Sequence, residues 1–257
     1  MKRDLLLMAA VVLGTAASAD ASDVRTLLEQ PRAEPPAAVN YRYVLDVTAR
    51  YGEGDAPDEI ALATIAVDAT RPPGERTAVL SRTDQSKDLR KIIDGVVEGI
   101  EDDDNTPARM SESFYCTLDA TGFDVTAEDA VHAVIKPDYD SMVAVMRKDG
   151  TPKRIAKRLA ERLDGEIVLA KPGLGITSTA FRMTRPMKVM VVAKIHDMEI
   201  TQGCVPSPDG FMRSERFAMR SRVTAMGKDM RTGMEMHVRD LVAVAPEASE
   251  TPQAPGG

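Results

Sequence analysis

The chain has 257 residues and a formal charge of −7, with 33 Lys and Arg against 40 Asp and Glu. This acidic balance argues against general binding to a nucleic-acid backbone or to an anionic membrane surface, because both depend on clustered Lys and Arg. The length suffices for one sizeable core or at most two small domains.

The first nineteen residues have the order of a secretory signal peptide. A basic start at Lys2 and Arg3 precedes an apolar run from Leu5 to Leu13, and small residues follow, with cleavage expected after Ala19. The apolar run is about half of the roughly 20 residues that a membrane-spanning helix needs. No Cys follows it, so the lipid-attachment box of bacterial lipoproteins is missing. We therefore expect a periplasmic or secreted protein without a membrane span in the mature chain.

Composition then divides the remaining chain into three parts. Residues 20–36 mix Ala, Asp, Pro and charge without periodicity, which predicts a mobile lead-in. Residues 246–257 are rich in Pro, Gly, Ser and Glu, which predicts a disordered tail. No linker-like stretch interrupts residues 37–245, so we expect a single β-rich domain between these ends.

The domain begins with alternating residues. From Tyr41 to Tyr51 the odd positions are apolar or aromatic, whereas the even positions include Arg42, Asp46 and Arg50. A period of two predicts a strand with one buried face, as in an antiparallel sheet. Further strands are predicted over 60–68 and 77–82, and together the three form a meander.

The period changes after Ser86, which is a suitable helix N-cap. Apolar residues then recur at helical spacing and predict one amphipathic helix up to Ile100. They are Leu89, Ile92, Ile93, Val96, Val97 and Ile100. Gly95 and Gly99 each weaken the intrinsic helix propensity by about 1 kcal/mol, so packing against the sheet must hold this helix.

The middle of the chain has weaker patterns. Strands are predicted over 114–118 and 126–136, and residues 141–147 fit either a short strand or a turn of helix. Thr151-Pro152 suits a helix start, yet the apolar residues of 151–163 share one parity with Ile167 and Leu169. We favour a helix or a mixed element there.

The C-terminal third is clearly β. Strands are predicted over 176–183, 188–202 and 211–226, with Asp209-Gly210 as a hairpin pair, followed by alternation from Met234 to Val238. This is a second antiparallel meander. The predicted fold class is therefore α+β, with a mainly antiparallel sheet and one or two covering helices.

Both cysteines, Cys116 and Cys204, lie in the predicted mature chain. An even pair in an oxidising compartment predicts one disulfide, which would link the second meander to the middle strands. Two buried free thiols are the alternative.

No catalytic, metal-binding or cofactor-binding motif stands out. The three histidines, His132, His196 and His237, fall in predicted strands without the spacing of metal ligands, and no nucleophile motif occurs. Gly173-x-Gly175 lacks the rest of a dinucleotide- or phosphate-binding pattern. We assign no catalytic residue, metal ligand or cofactor, and a hydrolase of unrecognised type is the least favoured alternative.

Methionine is the unusual component. It occurs 15 times, with ten copies from Met183 to Met236, while Trp is absent and aromatic residues make up 4% of the chain. Flexible Met side chains suit an adaptable apolar cavity for an acyl chain, although they could also fill a core that lacks aromatics. The candidate cavity residues share the apolar parity of the strands. They are Tyr43, Leu45, Val47, Met219, Val223, Met234 and Met236.

The order of these elements resembles that of the periplasmic lipoprotein-carrier proteins of the Lol type. A signal peptide, a meander starting at Tyr41-Arg42-Tyr43, one amphipathic helix and a second meander ending at Val238 carry the resemblance. It implies a curved, half-barrel-like sheet with a helical lid around a cavity for acyl chains, and it transfers no functional residue.

We therefore expect a non-enzymatic binding or carrier protein for a lipid or a lipoprotein acyl chain, with no nucleic-acid partner. The alternative is an envelope scaffold that contacts another envelope protein and holds no ligand.

Overall fold

The structure is a computed structural model that describes residues 40–83, 86–102, 116, 122–148, 151–171, 173–190, 193–207 and 211–244, together with Val24. The chain divides into two compact units, residues 1–31 and 32–257, and the sheet described below belongs to the second. The predicted signal peptide and the predicted tail lie outside the described residues. No helix in the described ranges has both the length and the hydropathy to cross a membrane.

The described residues form eleven strands and three helices. The strands are β1 (Asn40–Glu53), β2 (Glu59–Asp68), β3 (Thr77–Arg82), β4 (Phe123–Glu128), β5 (His132–Pro137), β6 (Leu163–Ala170), β7 (Gly175–Met183), β8 (Met187–Met190), β9 (Ala193–Pro206), β10 (Met212–Ala225) and β11 (Lys228–Val244). The helices are α1 (Lys87–Glu101), α2 (Tyr139–Lys148) and α3 (Lys153–Ala160).

All eleven strands belong to one antiparallel sheet. Its order is β3-β2-β1-β11-β10-β9-β7-β6-β5-β4, and β8 pairs with β9 beside this path. The pairing of β1 with β11 joins the N-terminal meander to the C-terminal one. β3 and β4 remain edges over the described residues, so the curved sheet is open. The predicted α+β, half-barrel-like fold is confirmed.

Alternation along β1 separates two faces of the sheet. Its odd residues from Tyr41 to Ala49 are buried and form the main core with the alternate residues of β2. Leu89 and Ile93 of α1 are fully buried against this inner face. The outer face carries charge, as in the ion pair at 2.7 Å between Arg239 Nε and Asp46 Oδ2. The period of two in the sequence thus determines which face of the sheet packs against α1.

The other two helices pack against each other rather than against α1. Val143 of α2 is buried with Ala156 and Ala160 of α3 in a separate small cluster. α3 also contacts β8. α1 alone among the described helices therefore covers the inner face of β1 and β2.

Two predicted strands are wrong because each contains a reversal. Residues 126–136 fall in the hairpin of β4 and β5, whose turn is held by the Asp129 carboxylate, which accepts hydrogen bonds from the N–H groups of Val131 and His132 at 2.8 and 2.7 Å. Residues 188–202 fall in β8 and β9, which pair with each other, with Met187 opposite Ile195.

Two segments for which the sequence left both helix and strand open contain helices in the structure. Residues 141–147 lie in α2, and 151–163 are a mixed element in which α3 ends before β6 begins. The predicted strand over 114–118 lies outside the described residues apart from Cys116.

The disulfide is present. Cys116 is bonded to Cys204 of β9, with their Cα atoms 6.4 Å apart. The N–H of Cys116 also donates to the carbonyl oxygen of Met212 in β10, at 2.9 Å. Cys116 is thereby attached to both strands of the β9–β10 pair, as the predicted link to the second meander requires.

Candidate ligand-binding cavity

A cavity of ≈ 760 Å³ lies between α1 and the inner face of β1, β9, β10 and β11. Most of its lining is aliphatic, aromatic or methionine. The strand residues that line it include Tyr43, Leu45, Phe217, Met219, Met234, Met236 and Val238, and the helix contributes Ile92, Gly95, Val96, Gly99 and Ile100. Pockets for small ligands occupy about 300–1,000 Å³ and have mainly apolar walls, so this cavity has the size and character of a ligand site.

The structure brings five of the seven candidate cavity residues together. Tyr43 and Leu45 of β1 lie on one side, and Met219, Met234 and Met236 lie on β10 and β11. Register explains the grouping, because β11 pairs with both β1 and β10 and places Met234 directly opposite Met219.

The other two candidates, Val47 and Val223, share the inner face but do not line the cavity. Val47 is 1% exposed and is packed in the main core that includes Leu89 and Ile93 of α1. Val223 lies opposite Met230, nearer the turn between β10 and β11. The odd or even position of a residue in its strand predicts only which face of the sheet it lies on. The position of α1 determines which part of that face lines the cavity.

Two glycines form part of the helical wall. Gly95 and Gly99 are one helical turn apart, line the cavity, and would place an added Cβ more than 4 Å from any non-local atom. Each costs about 1 kcal/mol of helix propensity relative to Ala. Side chains at these positions would project into open space, so the two glycines keep volume free. Sequence reasoning noted their helical cost but did not identify them as lining residues.

One end of the cavity is polar. β10 has a β-bulge between Ser214 and Arg216, so that Ser214 and Glu215 both line the cavity. Gln202 of β9 joins them from the neighbouring strand. Bulges commonly redirect side chains in this way next to binding sites. Sequence reasoning missed this group because it considered only apolar and aromatic residues, and a simple alternation cannot reveal the bulge that adds Ser214 to the lining.

Tyr43 contributes an aromatic side chain to the cavity lining. Its side chain is buried, and this burial raises the pKa of the phenol. The phenol consequently stays neutral near neutral pH, and adds no charge to the apolar part of the lining.

The helical wall is attached to the sheet through Glu101, the last residue of α1. Its carboxylate accepts hydrogen bonds from the N–H of Gly74 at 2.5 Å and of Arg76 at 3.2 Å. It also accepts from the N–H and the hydroxyl of Thr77, at 2.6 and 2.5 Å. These groups lie in β3 and in the loop that precedes it, so a single side chain joins the helix to that edge of the sheet.

The same contacts shift the ionisation of Glu101. Partial burial on its own would raise the pKa, but the hydrogen bonds from Thr77, Arg76 and Gly74 outweigh it and hold the pKa of this carboxyl below its ordinary value. The ionised form is therefore the one that holds the helix.

Both ends of α1 have further partners. The buried Arg76 donates from Nη1 to the carbonyl oxygens of Ile100 and Asp102, at 3.3 and 3.2 Å, which satisfies groups that a helix end leaves open. At the other end the Ser86 hydroxyl accepts from the N–H of Leu89, as the predicted N-cap requires.

The described residues contain no group of three or more His, Cys, Asp or Glu side chains placed to hold a metal ion. None of the three histidines lines the cavity. His196 Nε2 instead lies 2.7 Å from the hydroxyl of Thr224.

No protein-family model and no curated protein matches the sequence. Among solved structures, the chain is similar to the crystal structure of a LolA superfamily protein from Nitrosomonas europaea. The two share 10% sequence identity over 80% of this chain and 87% of that chain, with a TM-score of 0.27. The likeness is weak, concerns the fold alone, and assigns neither a function nor a binding residue.

Proposed function

We propose that this protein binds the acyl chain of a lipid or lipoprotein in the cavity beneath α1, and carries it without catalysing a reaction. The observation that supports this most is the cavity itself, ≈ 760 Å³ in volume and lined mainly by apolar side chains. Met219, Met234 and Met236 supply flexible, polarisable surfaces that adapt to a chain of variable conformation.

The proposed place of action is the periplasm or the extracellular medium. The signal-peptide pattern of residues 1–19 supports export. The bond between Cys116 and Cys204 also supports it, because structural disulfides persist in oxidising compartments.

Affinity for neutral single-chain amphiphiles tests the proposal. Burial of one methylene contributes about 0.8 kcal/mol, so each added methylene should tighten Kd by about fourfold until the cavity is filled. The ligands are 1-monoacylglycerols from octanoyl to palmitoyl, below their micelle concentrations, and the measurement is isothermal titration calorimetry. A Kd that does not change with chain length would contradict binding in the cavity.

A filled cavity provides the matched control. Gly99→Leu places an isobutyl group in the cavity, whereas Glu98→Leu adds the same side chain at an exposed position outside the lining. We expect G99L to weaken palmitoyl binding at least tenfold and E98L to leave it unchanged. Native mass spectrometry of the full chain purified from a cell envelope should also show a lipid adduct, and its absence together with a null titration would overturn the proposal.

A further inference from the structure

The polar end of the cavity contains three side chains that have no partner among the described residues. Gln202, Ser214 and Glu215 all line the cavity, are half-buried, and make no hydrogen bond or ion pair within the described part of the chain. Thr232, another polar residue of the lining, is already hydrogen-bonded to Ser221 at 2.9 Å between their hydroxyl oxygens. The polar side chains of the lining that have no partner among the described residues are thus concentrated at the bulge.

Glu215 gives this end its charge. It is the one charged side chain among the described residues that line the cavity. Its basic neighbours in the chain, Arg213 and Arg216, do not line it, and Arg216 lies in register with His237 on the outer face. No cation of the described lining therefore compensates the carboxylate.

The surroundings hold this end in place. Ser214 lies directly opposite Cys204, whose disulfide to Cys116 links the strand to a second part of the chain. The bulge and the bridge therefore occupy neighbouring positions. A fixed set of acceptors needs little reorganisation when a ligand binds, which favours a defined head-group site over a general apolar surface.

We infer that the cavity selects single-chain amphiphiles whose head group is an ammonium, and disfavours those that end in a carboxylate. This inference rests on the proposed function, because the chain must enter the cavity for its head to reach the bulge. An ammonium donates charge-assisted hydrogen bonds to the Glu215 carboxylate, where both partners are charged, and to the uncharged oxygens of Ser214 and Gln202. A carboxylate head would instead meet a like charge in a partly desolvated place.

The experiment compares two amphiphiles of equal chain length, dodecylammonium and dodecanoate, with 1-monolauroylglycerol as the neutral reference. Titration at neutral pH and low micromolar protein gives three dissociation constants for the full chain. We expect dodecylammonium to bind at least tenfold more tightly than dodecanoate, with the neutral ligand between them. That ratio corresponds to about 1.4 kcal/mol, less than one charge-assisted hydrogen bond typically contributes.

Two substitutions distinguish the local effect of the Glu215 carboxylate from the effect of the protein's net charge. They are Glu215→Gln and Glu235→Gln. Both remove one negative charge, but Glu235 lies opposite Thr48 on the outer face and does not line the cavity. We expect E215Q to reduce the ratio of the two constants toward one and E235Q to preserve it. A wild-type ratio near one, or equal ratios in the two variants, would overturn the inference.

The neutral ligand distinguishes the two levels of failure. If monolauroylglycerol does not bind, the proposed function itself is wrong. If it binds while the head-group preference is absent, the carrier function stands and the assignment of Glu215 is wrong.

Discussion

The carboxylate of Glu101 at the end of α1 accepts hydrogen bonds from both the N–H and the hydroxyl of Thr77 in β3, at 2.6 and 2.5 Å. An acidic residue at a helix C-terminus opposes the helix dipole. Here the carboxylate binds N–H groups of the sheet instead. The C-terminal end of α1 is therefore held to β3 by a carboxylate that the helix dipole alone would disfavour.

Removal of the Glu101 carboxylate should destabilise the protein. Hydrogen bonds to charged groups contribute about 1.5–3 kcal/mol, so Glu101→Ala should lower the free energy of unfolding by about 2–3 kcal/mol. Urea denaturation followed by circular dichroism measures it. Glu98→Ala, at an exposed position of the same helix, is the control and should change stability by less than about 0.5 kcal/mol. Equal effects of the two variants would contradict the role of Glu101.

Acid should weaken the same attachment. Because the pKa of Glu101 is lower in the folded than in the unfolded protein, its contribution is fully present above the ordinary Glu pKa of about 4.3 and is lost as the pH falls through the folded value. The stability difference between wild type and Glu101→Gln should therefore be larger at pH 7 than at about pH 3. A difference that stays constant between these two pH values would show that ionisation is not involved.

Alanine at the two cavity glycines should stabilise the helix. Gly95→Ala and Gly99→Ala should each raise the free energy of unfolding by about 0.8–1 kcal/mol, since the added Cβ meets no neighbour within 4 Å. Gly54→Ala provides the opposite control, because the φ of Gly54 is +59° and a side chain there is strained. Thermal melting separates the two cases, and a loss of stability in G95A or G99A would show that the space around them is filled.

Loss of the disulfide should cost more than any single contact. For a bridge between residues separated by 88 positions, the loss of loop-closure entropy corresponds to about 4–5 kcal/mol. Cys116→Ser together with Cys204→Ser should therefore lower the urea midpoint markedly, as should reduction of the wild-type protein. If both midpoints stayed unchanged, the bridge would not stabilise the native state.

Much of the N-terminal part of the fold could be predicted because β1, β2 and α1 each have one buried face. The buried face of β1 produces the alternation from Tyr41 to Ala49, and the buried face of α1 produces the apolar stripe that contains Leu89 and Ile93. A buried face does not indicate where the chain reverses when the turn contains neither Gly nor Pro. The turn at Asp129 is formed by side-chain hydrogen bonds and contains neither Gly nor Pro, which is why a single strand was predicted there.

The cavity was predictable in part for the same reason. Parity placed Tyr43, Met219 and Met236 on one face, but it could not indicate that α1 covers Val47 and leaves Met219 beside open space. Glu215 shares the odd parity of Phe217 and Met219, and it was missed because only apolar and aromatic residues were taken as candidates. The spacing of Gly95 and Gly99 on the amphipathic helix was the signal in the sequence that could have identified the opposite wall of the cavity.

The pairing of β1 with β11 has a consequence for the order of folding. Leu45 lies opposite Val238, so the first strand of the sheet finds one neighbour only after nearly the whole chain has been synthesised. Contacts of such high sequence separation slow folding, because loop-closure entropy is lost before the contacts form. The cavity cannot be complete before β11 has paired, because Met234, Met236 and Val238 of β11 are part of its lining. A chain that stops before β11 leaves one edge of β1 unpaired, and an unpaired strand edge favours aggregation.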